Sequence, residues 1–363
     1  MSSVHRSLIT PTANPLLERA LRDKLLRRSE TTGSLGELEP LAIRLGLMQN
    51  TLKPRLRDPQ LVIFASDHGL AVDGITVTPG RSTPEQAQQL LSGQLPASVF
   101  ARIQGLQLSV VDAGMAERLP AHDHLLMRKI AHGTRNARAS AAMSVDQAHA
   151  AIRAGMEIGD TLHGNAVACA GIGVGSHESA ALVLARLTGA PVRELLNAGP
   201  DMDRNKLTHL LVITQGAQGR HRDVTDPVEV LAAFGGFEIA MMVGLMLVAA
   251  SRRHLVMVDG LPACAALMVA SRIAAPVTDY CVFCRSHGHH GLDYALNLFH
   301  TTALLELGME STDGTGAVLA WPLLKAASAL LTEVAEGEDP GPSRPGMASG
   351  LGVLGAPETP AAR

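Results

Sequence analysis

Short apolar runs alternate along the chain with longer stretches in which apolar residues recur every three or four positions. That alternation is expected of an α/β fold, a mostly parallel sheet with helices on its faces. The runs LVIFA (61–65), LSVV (108–111), AVACA (166–170), LVMV (255–258) and TDYCVF (278–283) predict strands. Helical spacing predicts helices over 18–28, 35–49, 84–92, 145–162, 178–187, 203–215, 227–233, 237–250, 264–272 and 316–334. The first four strands run into Asp or Gly, which matters because ligands of open parallel sheets bind outside the carboxyl ends of the strands. Residues 336–363, rich in Pro, Gly, Ser and Ala, predict a mobile tail. No internal repeat interrupts the pattern.

Composition narrows the partners. With 363 residues, 46% hydrophobic and 18% charged, the chain has apolar material for a full core in one large domain or two coupled ones. A formal charge of −3 with six Phe, two Tyr and one Trp offers neither a cationic face for phosphodiesters nor stacking platforms for bases, so nucleic acid is not an expected partner. The first residues contain no apolar signal core, and the apolar run near 241–250 is too short to cross a bilayer. A soluble cytoplasmic protein is the expectation. Four irregularly spaced cysteines, Cys169, Cys264, Cys281 and Cys284, agree with a reducing compartment.

Several segments could carry chemistry. In Ser311-Thr312-Asp313-Gly314-Thr315-Gly316-Ala317 a carboxylate sits in a glycine frame immediately before an apolar helix, where backbone N–H groups and Asp313 share a small space. The alternative is that Asp313 caps that helix. Ser66-Asp67-His68-Gly69 places Asp67 and His68 at the ligand edge after the first strand, and Asp112 and Asp259 repeat the strand-end acid. Gly171-Ile172-Gly173-Val174-Gly175-Ser176-His177 is a glycine-rich strand-to-helix turn, either a phosphate cradle or a close-packing turn. It lacks the dinucleotide fingerprint, so a nicotinamide-dinucleotide site is not expected. Cys281-x-x-Cys284 followed by His287, His289 and His290 has zinc-binding side chains, but all crowd into ten residues and the first falls in a strand run. No bound metal is expected there. No G-x-S-x-G nucleophile elbow occurs.

The order of segments resembles the nicotinate-nucleotide–dimethylbenzimidazole phosphoribosyltransferases of cobalamin biosynthesis, called CobT. The resemblance runs from about Gly33 to Ser328. It rests on GSLGELEPLAIRLGLMQ (33–49), FASDHGLAVDGITVTP (64–79), VVDAGM (110–115), KIAHGTRNARASAAMS (129–144), DPVEVLAAFGGFEIAMMVG (226–244), VMVDGLPACAALMVA (256–270), Ser286-His287 and LELGMESTDGTGAVLAWPLLKAA (305–327). It implies a Rossmann-like sheet with helices on both faces, a smaller helical part built from the chain ends, and a homodimer. The implied divisions are 1–60 for the N-terminal helices of the small part, 61–300 for the nucleotide-binding α/β domain, 301–335 for the active-site turn and helix, and 336–363 for the tail.

The implied reaction is attack of a benzimidazole nitrogen on C1′ of nicotinate mononucleotide, giving α-ribazole 5′-phosphate and nicotinate, with no cofactor. A carboxylate must accept the azole proton while oriented donors hold the phosphate and charge develops on the ribose. By resemblance Asp313 takes the place of the family's glutamate base, one methylene shorter. Asp67, His68, Thr78, Glu85, Gly173, Gly175, Ser176, His177, Gly314, Thr315 and Gly316 are the expected substrate-binding positions. The chain also departs from the family pattern. A second site glutamate falls on Gly171, its N-T-T on Ser176-His177-Glu178, a G-T-G phosphate segment on Gly199-Pro200-Asp201, and a helical lysine on Leu210. The base-pocket T-x-Q-M reads Thr83-Pro84-Glu85-Gln86, and S-H-x-S-x-E-x-G is reduced to Ser286-His287-Gly288-His289-His290-Gly291. These departures keep open a catalytically silent homologue that binds a base or nucleotide or regulates a partner.

Overall fold

The computed structural model describes residues 9–75, 82–196, 202–286, 290–311 and 313–335. Six strands form one parallel sheet: β1 (Gln60–Ser66), β2 (Gln107–Gly114), β3 (Leu125–Met127), β4 (Ala166–Ile172), β5 (Leu255–Val258) and β6 (Cys281–Phe283). Their order is β3-β2-β1-β4-β5-β6. From β1 the chain steps outward to β2 and β3, then returns to place β4 on the other side of β1. The order therefore reverses between β1 and β4, and at such a switch point the loops leaving the two strands diverge and open a crevice. Two further short strands, β7 (Arg285–Ser286) and β8 (Leu305–Glu306), pair with each other.

Helices cover both faces, and neighbouring residues of β4 show it. A Cβ on Gly171 would lie 3.0 Å from both Met242 and Pro262, which belong to the helices Phe237–Ser251 and Leu261–Ile273. Ala170 points the opposite way, where its Cβ lies 3.4 Å from the Cβ position of Gly314 at the start of helix Thr315–Thr332. β1, β4 and β5 are buried on both faces apart from Gln60 at one end, which explains their continuous apolar runs. Helix Thr315–Thr332 packs against Leu38–Met48, Pro96–Gln104 and Pro15–Thr32, so the first and last described helices meet in one helical group. By length and composition that C-terminal helix is the one described helix that could cross a membrane, but 61% of its apolar window is buried inside the protein.

One expectation is corrected. The segment 278–283 is a strand only over Cys281–Phe283. The preceding Ala275–Tyr280 is a 3-10 turn whose Asp279 and Tyr280 side chains bond the backbone of Thr12 and Thr10. The helices Pro96–Gln104, Val192–Leu196 and His290–Leu298 and the edge strand β3 were not among the predicted elements. The tail 336–363 lies outside the described residues.

Candidate active site at the carboxyl edge of the sheet

Because every strand of the main sheet is parallel, the residues after β1, β4, β5 and β6 share one edge. Two side-chain groups form there. The first lies at the switch point. His68 follows β1 and its Nε2 lies 2.9 Å from Oε1 of Glu238, a residue in the first turn of helix Phe237–Ser251. The same oxygen accepts the Ser176 hydroxyl at 2.8 Å. All three residues are buried. Burial opposes the charged imidazole, but the carboxylates of Glu238, Asp67 and Glu178 outweigh it, and the His68 pKa is raised. Glu178, two residues beyond Ser176, is pushed up to about 7 by burial, against the opposing influence of its own backbone, His68 and Lys206.

The turn between β4 and helix Ser176–Thr188 is held tightly. Gly173 passes so close to the Ser66 carbonyl that a side chain could not fit, and Gly175, at φ +92°, adopts the left-handed conformation that glycine tolerates. The amide of Ser176 donates to Gly173 O at 3.1 Å, and Val174 N donates to the Thr83 hydroxyl at 3.1 Å. Two donors of the expected cradle are thus engaged within the protein, and the Glu178 carboxyl occupies the same helix start. His177 is driven down to about 4 by burial, which a hydrogen bond with the Leu195 backbone opposes and the Arg285 charge reinforces. It is a neutral ring at physiological pH.

The second group lies between β5, β6 and the C-terminal helix. Arg285 Nε donates to Asp259 Oδ1 at 2.6 Å, its NH1 donates to Met309 O at 2.6 Å, and Ala317 N donates to Asp259 Oδ2 at 3.1 Å. Gly316 leaves room for this pair: a Cβ there would fall 2.6 Å from Arg285 Cδ. Burial raises the Asp259 carboxyl above its usual range despite Arg285 and the Ala317 amide, and the Asp313 charge raises it further. Asp313 is half-buried. Its Oδ1 accepts from the Ser311 hydroxyl, from Thr315 Oγ1 at 2.6 Å and from Thr315 N at 3.2 Å. Among the described residues Oδ2 has no hydrogen-bond partner. Gly314, at φ +88°, makes the turn that lets the carboxylate reach back to the helix start. Asp313 therefore lies one position before the N-cap Gly314 and binds the first helical amide through one oxygen, while the other remains available.

The structure thus brings His68, Gly173, Gly175, Ser176 and His177 together at the switch point, and Asp313, Gly314, Thr315 and Gly316 beside Asp259 and Arg285. The groups are linked electrostatically through His177, which feels Arg285. Asp67 faces the neighbouring loop, its Oδ2 accepting from Ala116 N at 2.7 Å. Glu85 is exposed and closes a capping box with Ser82 at the start of helix Thr83–Leu91. Thr78, Gly199, Pro200, Asp201, His287 and His289 lie outside the described residues. No cluster of three potential metal ligands occurs among the described residues. Burial pushes the Cys281 thiol up to about 12 and that of Cys284 well above its usual value, so both are protonated, and they donate to Val277 O and Val282 O. A cavity of about 590 Å³ lies elsewhere, between Arg55–Arg57 and Lys325–Glu333. Sequence reasoning passed over Glu238 and made nothing of Arg285 on its own.

A family model described as Phosphoribosyltransferase matches residues 10–341. A nicotinate-nucleotide–dimethylbenzimidazole phosphoribosyltransferase of Cupriavidus taiwanensis is 41% identical over 324 residues, covering 88% of this chain and 92% of that protein. The chain belongs to this family. A relative of the same name from Dechloromonas aromatica is 39% identical over 333 residues, covering 90% of this chain and 96% of the relative. A solved family structure from Thermus thermophilus superposes with a TM-score of 0.81 at 28% identity, covering 88% of this chain and 96% of that one. Family membership accounts for the parallel α/β architecture and for the ordered series of strand-end motifs.

Proposed function

We propose that the protein transfers the phosphoribosyl group of nicotinate mononucleotide to a nitrogen of 5,6-dimethylbenzimidazole or a related base, a step of cobalamin lower-ligand assembly. One azole nitrogen forms the bond to C1′, the bond from C1′ to nicotinate breaks, and Asp313 accepts the proton released from the other azole nitrogen. Products are α-ribazole 5′-phosphate and nicotinate. The observation that carries this reading is Asp313 itself. A half-buried carboxylate at the ligand edge has one oxygen fixed by Ser311 and Thr315 and the other unclaimed among the described residues. A base so held keeps its orientation without losing its acceptor. Substrate contacts at His68, at the Gly173–His177 turn and at Thr315 belong to the same reading, as do Asp67, Thr78 and Glu85 by family correspondence. So do a small helical part formed by both chain ends, a homodimeric assembly and a cytoplasmic location, which four free buried cysteines suit.

Purified protein given nicotinate mononucleotide and 5,6-dimethylbenzimidazole is expected to release nicotinate. Asp313→Asn should lower kcat by about 10²–10⁴-fold, the usual scale of a positioned general base. Because the Asn amide oxygen can still accept from the Thr315 amide and hydroxyl, its stability should change by less than about 1 kcal/mol. Folded wild-type protein that turns over no azole of a panel would defeat the proposal. One observation favours a second reading, a silent homologue: the Val174 and Ser176 amides are engaged within the protein, and an acid, Glu178, lies in the first turn of the helix that follows. Efficient product formation excludes that alternative.

A further inference from the structure

We propose that Glu238, acting with Ser176, is a positioning residue that holds His68 as a doubly protonated anion donor at the switch point of the sheet. The inference relies on the proposed reaction only for the identity of the anion. Glu238 is the one acid in a helix whose other residues, Phe237 to Ser251, are apolar apart from the final serine. Its side chain is fully buried, a costly place for a carboxylate unless partners hold it. Those partners are both at the ligand edge: His68 Nε2 at 2.9 Å and Ser176 Oγ at 2.8 Å share Oε1. Oε2 has no partner among the described residues. Gly236 leaves room for the pair, since a Cβ there would collide with Glu238 Oε2 and His68 Cε1.

The consequence falls on the far side of the imidazole. A neutral ring donating from Nε2 presents a lone pair at Nδ1, whereas a protonated ring presents a second N–H. Nδ1 has no hydrogen-bond partner among the described residues. The charged groups that act on the ring are Glu238 from helix Phe237–Ser251, Asp67 from its own segment and Glu178 from helix Ser176–Thr188, with Lys206 acting on Glu178. Three carboxyl groups around one buried ring favour its charged form. The ligand group served is an anion, either the phosphate or the carboxylate of nicotinate mononucleotide.

The experiment compares the wild type with Glu238→Gln, Glu238→Asp and His68→Gln. It follows the His68 imidazole by NMR titration, measures kcat and KM for nicotinate mononucleotide across pH, and measures binding of nicotinate mononucleotide, nicotinamide mononucleotide and inorganic phosphate by calorimetry. In Glu238→Gln the imidazole midpoint should move to lower pH, and KM at neutral pH should rise about tenfold, the scale of one charge-assisted hydrogen bond, with kcat within about twofold. Acidification should relieve that loss, and Glu238→Asp should restore most of it. Weakened binding shared by nicotinamide mononucleotide and phosphate identifies the phosphate as the anion; weakened binding confined to the nicotinate compound identifies the carboxylate. Should Glu238→Gln not fold, His68→Gln decides. It should show the same rise in KM and a binding profile that lacks the imidazole's step, and a profile identical to that of the wild type overturns the inference. So does a folded Glu238→Gln protein with an unchanged imidazole midpoint. Wild-type protein that binds phosphate through His68 but releases no nicotinate sinks the reaction and leaves this inference standing. Normal turnover with His68 indifferent to Glu238 does the reverse.

Discussion

Glu178 shows how one buried side chain makes the fold respond to pH. Its carboxyl titrates near 7 in the folded protein, against 4.5 for an ordinary glutamate, chiefly because burial disfavours the charged form. A carboxyl raised in this way stabilises the fold in its protonated state. The contribution is complete below the unfolded value and disappears as pH rises through about 7. At about 1.4 kcal/mol per pKa unit, the interval is worth on the order of 3 kcal/mol. Glu178→Gln should therefore lose less stability than the parent between pH 5 and pH 8, measured as urea midpoints at both ends; parallel pH profiles would count against this account. Single residues were unevenly legible in the sequence. Asp313 announced itself because a carboxylate in a glycine-rich turn precedes an apolar helix, although the N-cap itself is Gly314 and Asp313 bonds the Thr315 amide from one position before it. Glu238 was hidden inside a run read as core, although a lone acid among apolar helical residues is itself a signal of a buried polar contact. Glu85 was placed by family correspondence, yet the Ser82-x-x-Glu85 spacing already spells a capping box.

The helices Val145–Thr161 and Phe237–Ser251 approach so closely that backbone meets backbone. Gly244 lies against the Ile152 carbonyl and Gly155 against the Met241 carbonyl, with no room for a methyl group at either position. Replacing a helical glycine by alanine ordinarily stabilises a helix by about 1 kcal/mol. Here the added methyl must push two rigid backbones apart, and the sign should reverse. Gly244→Ala is expected to cost about 1–3 kcal/mol in denaturant unfolding. Because Glu238 sits in the first turn of the displaced helix, KM should rise as well; a stabilised variant would refute the packing argument. Elements with long periodic patterns were readable for the same reason that they are stable, since burial on one or both faces writes itself into the sequence. β3 was not, because only Leu125 of its three residues is buried. Helix Pro96–Gln104 could have been found from Pro96 at its first position and Gly105, at φ +74°, closing it. The strand predicted at 278–283 came from Tyr, Val and Phe in sequence, but Pro276 and the docking of Thr10 and Thr12 onto Tyr280 and Asp279 turn half of it into a 3-10 segment.

At the scale of the whole molecule, one buried ion pair fastens the C-terminal segment to the sheet. Arg285 follows β6, Asp259 follows β5, and between them they hold the Met309 carbonyl and the Ala317 amide on either side of Asp313. Helix Thr315–Thr332 in turn carries the N-terminal helices, and Arg28 closes that group by donating to the Val334 carbonyl at 2.6 Å. Local sequence patterns could not disclose this pairing, since the partners lie 26 positions apart and each looks like an ordinary strand-end residue. Both side chains are almost wholly buried, so removing the arginine alone leaves a carboxylate without its counter-charge. Arg285→Met is therefore expected to cost about 3–5 kcal/mol. Adding Asp259→Asn should return much of that loss, because the amide oxygen can still accept from Ala317 and no net charge remains buried. Activity should not return with stability, as the Met309 carbonyl then lacks its Arg285 donor and the turn bearing Asp313 is less firmly held. Unfolding midpoints and nicotinate release measured on the single and double variants separate the two roles. Equal recovery of both would show that the ion pair only stabilises the fold, and recovery of neither would show that the lost volume of the guanidinium, not its charge, is what the carboxyl edge depends on.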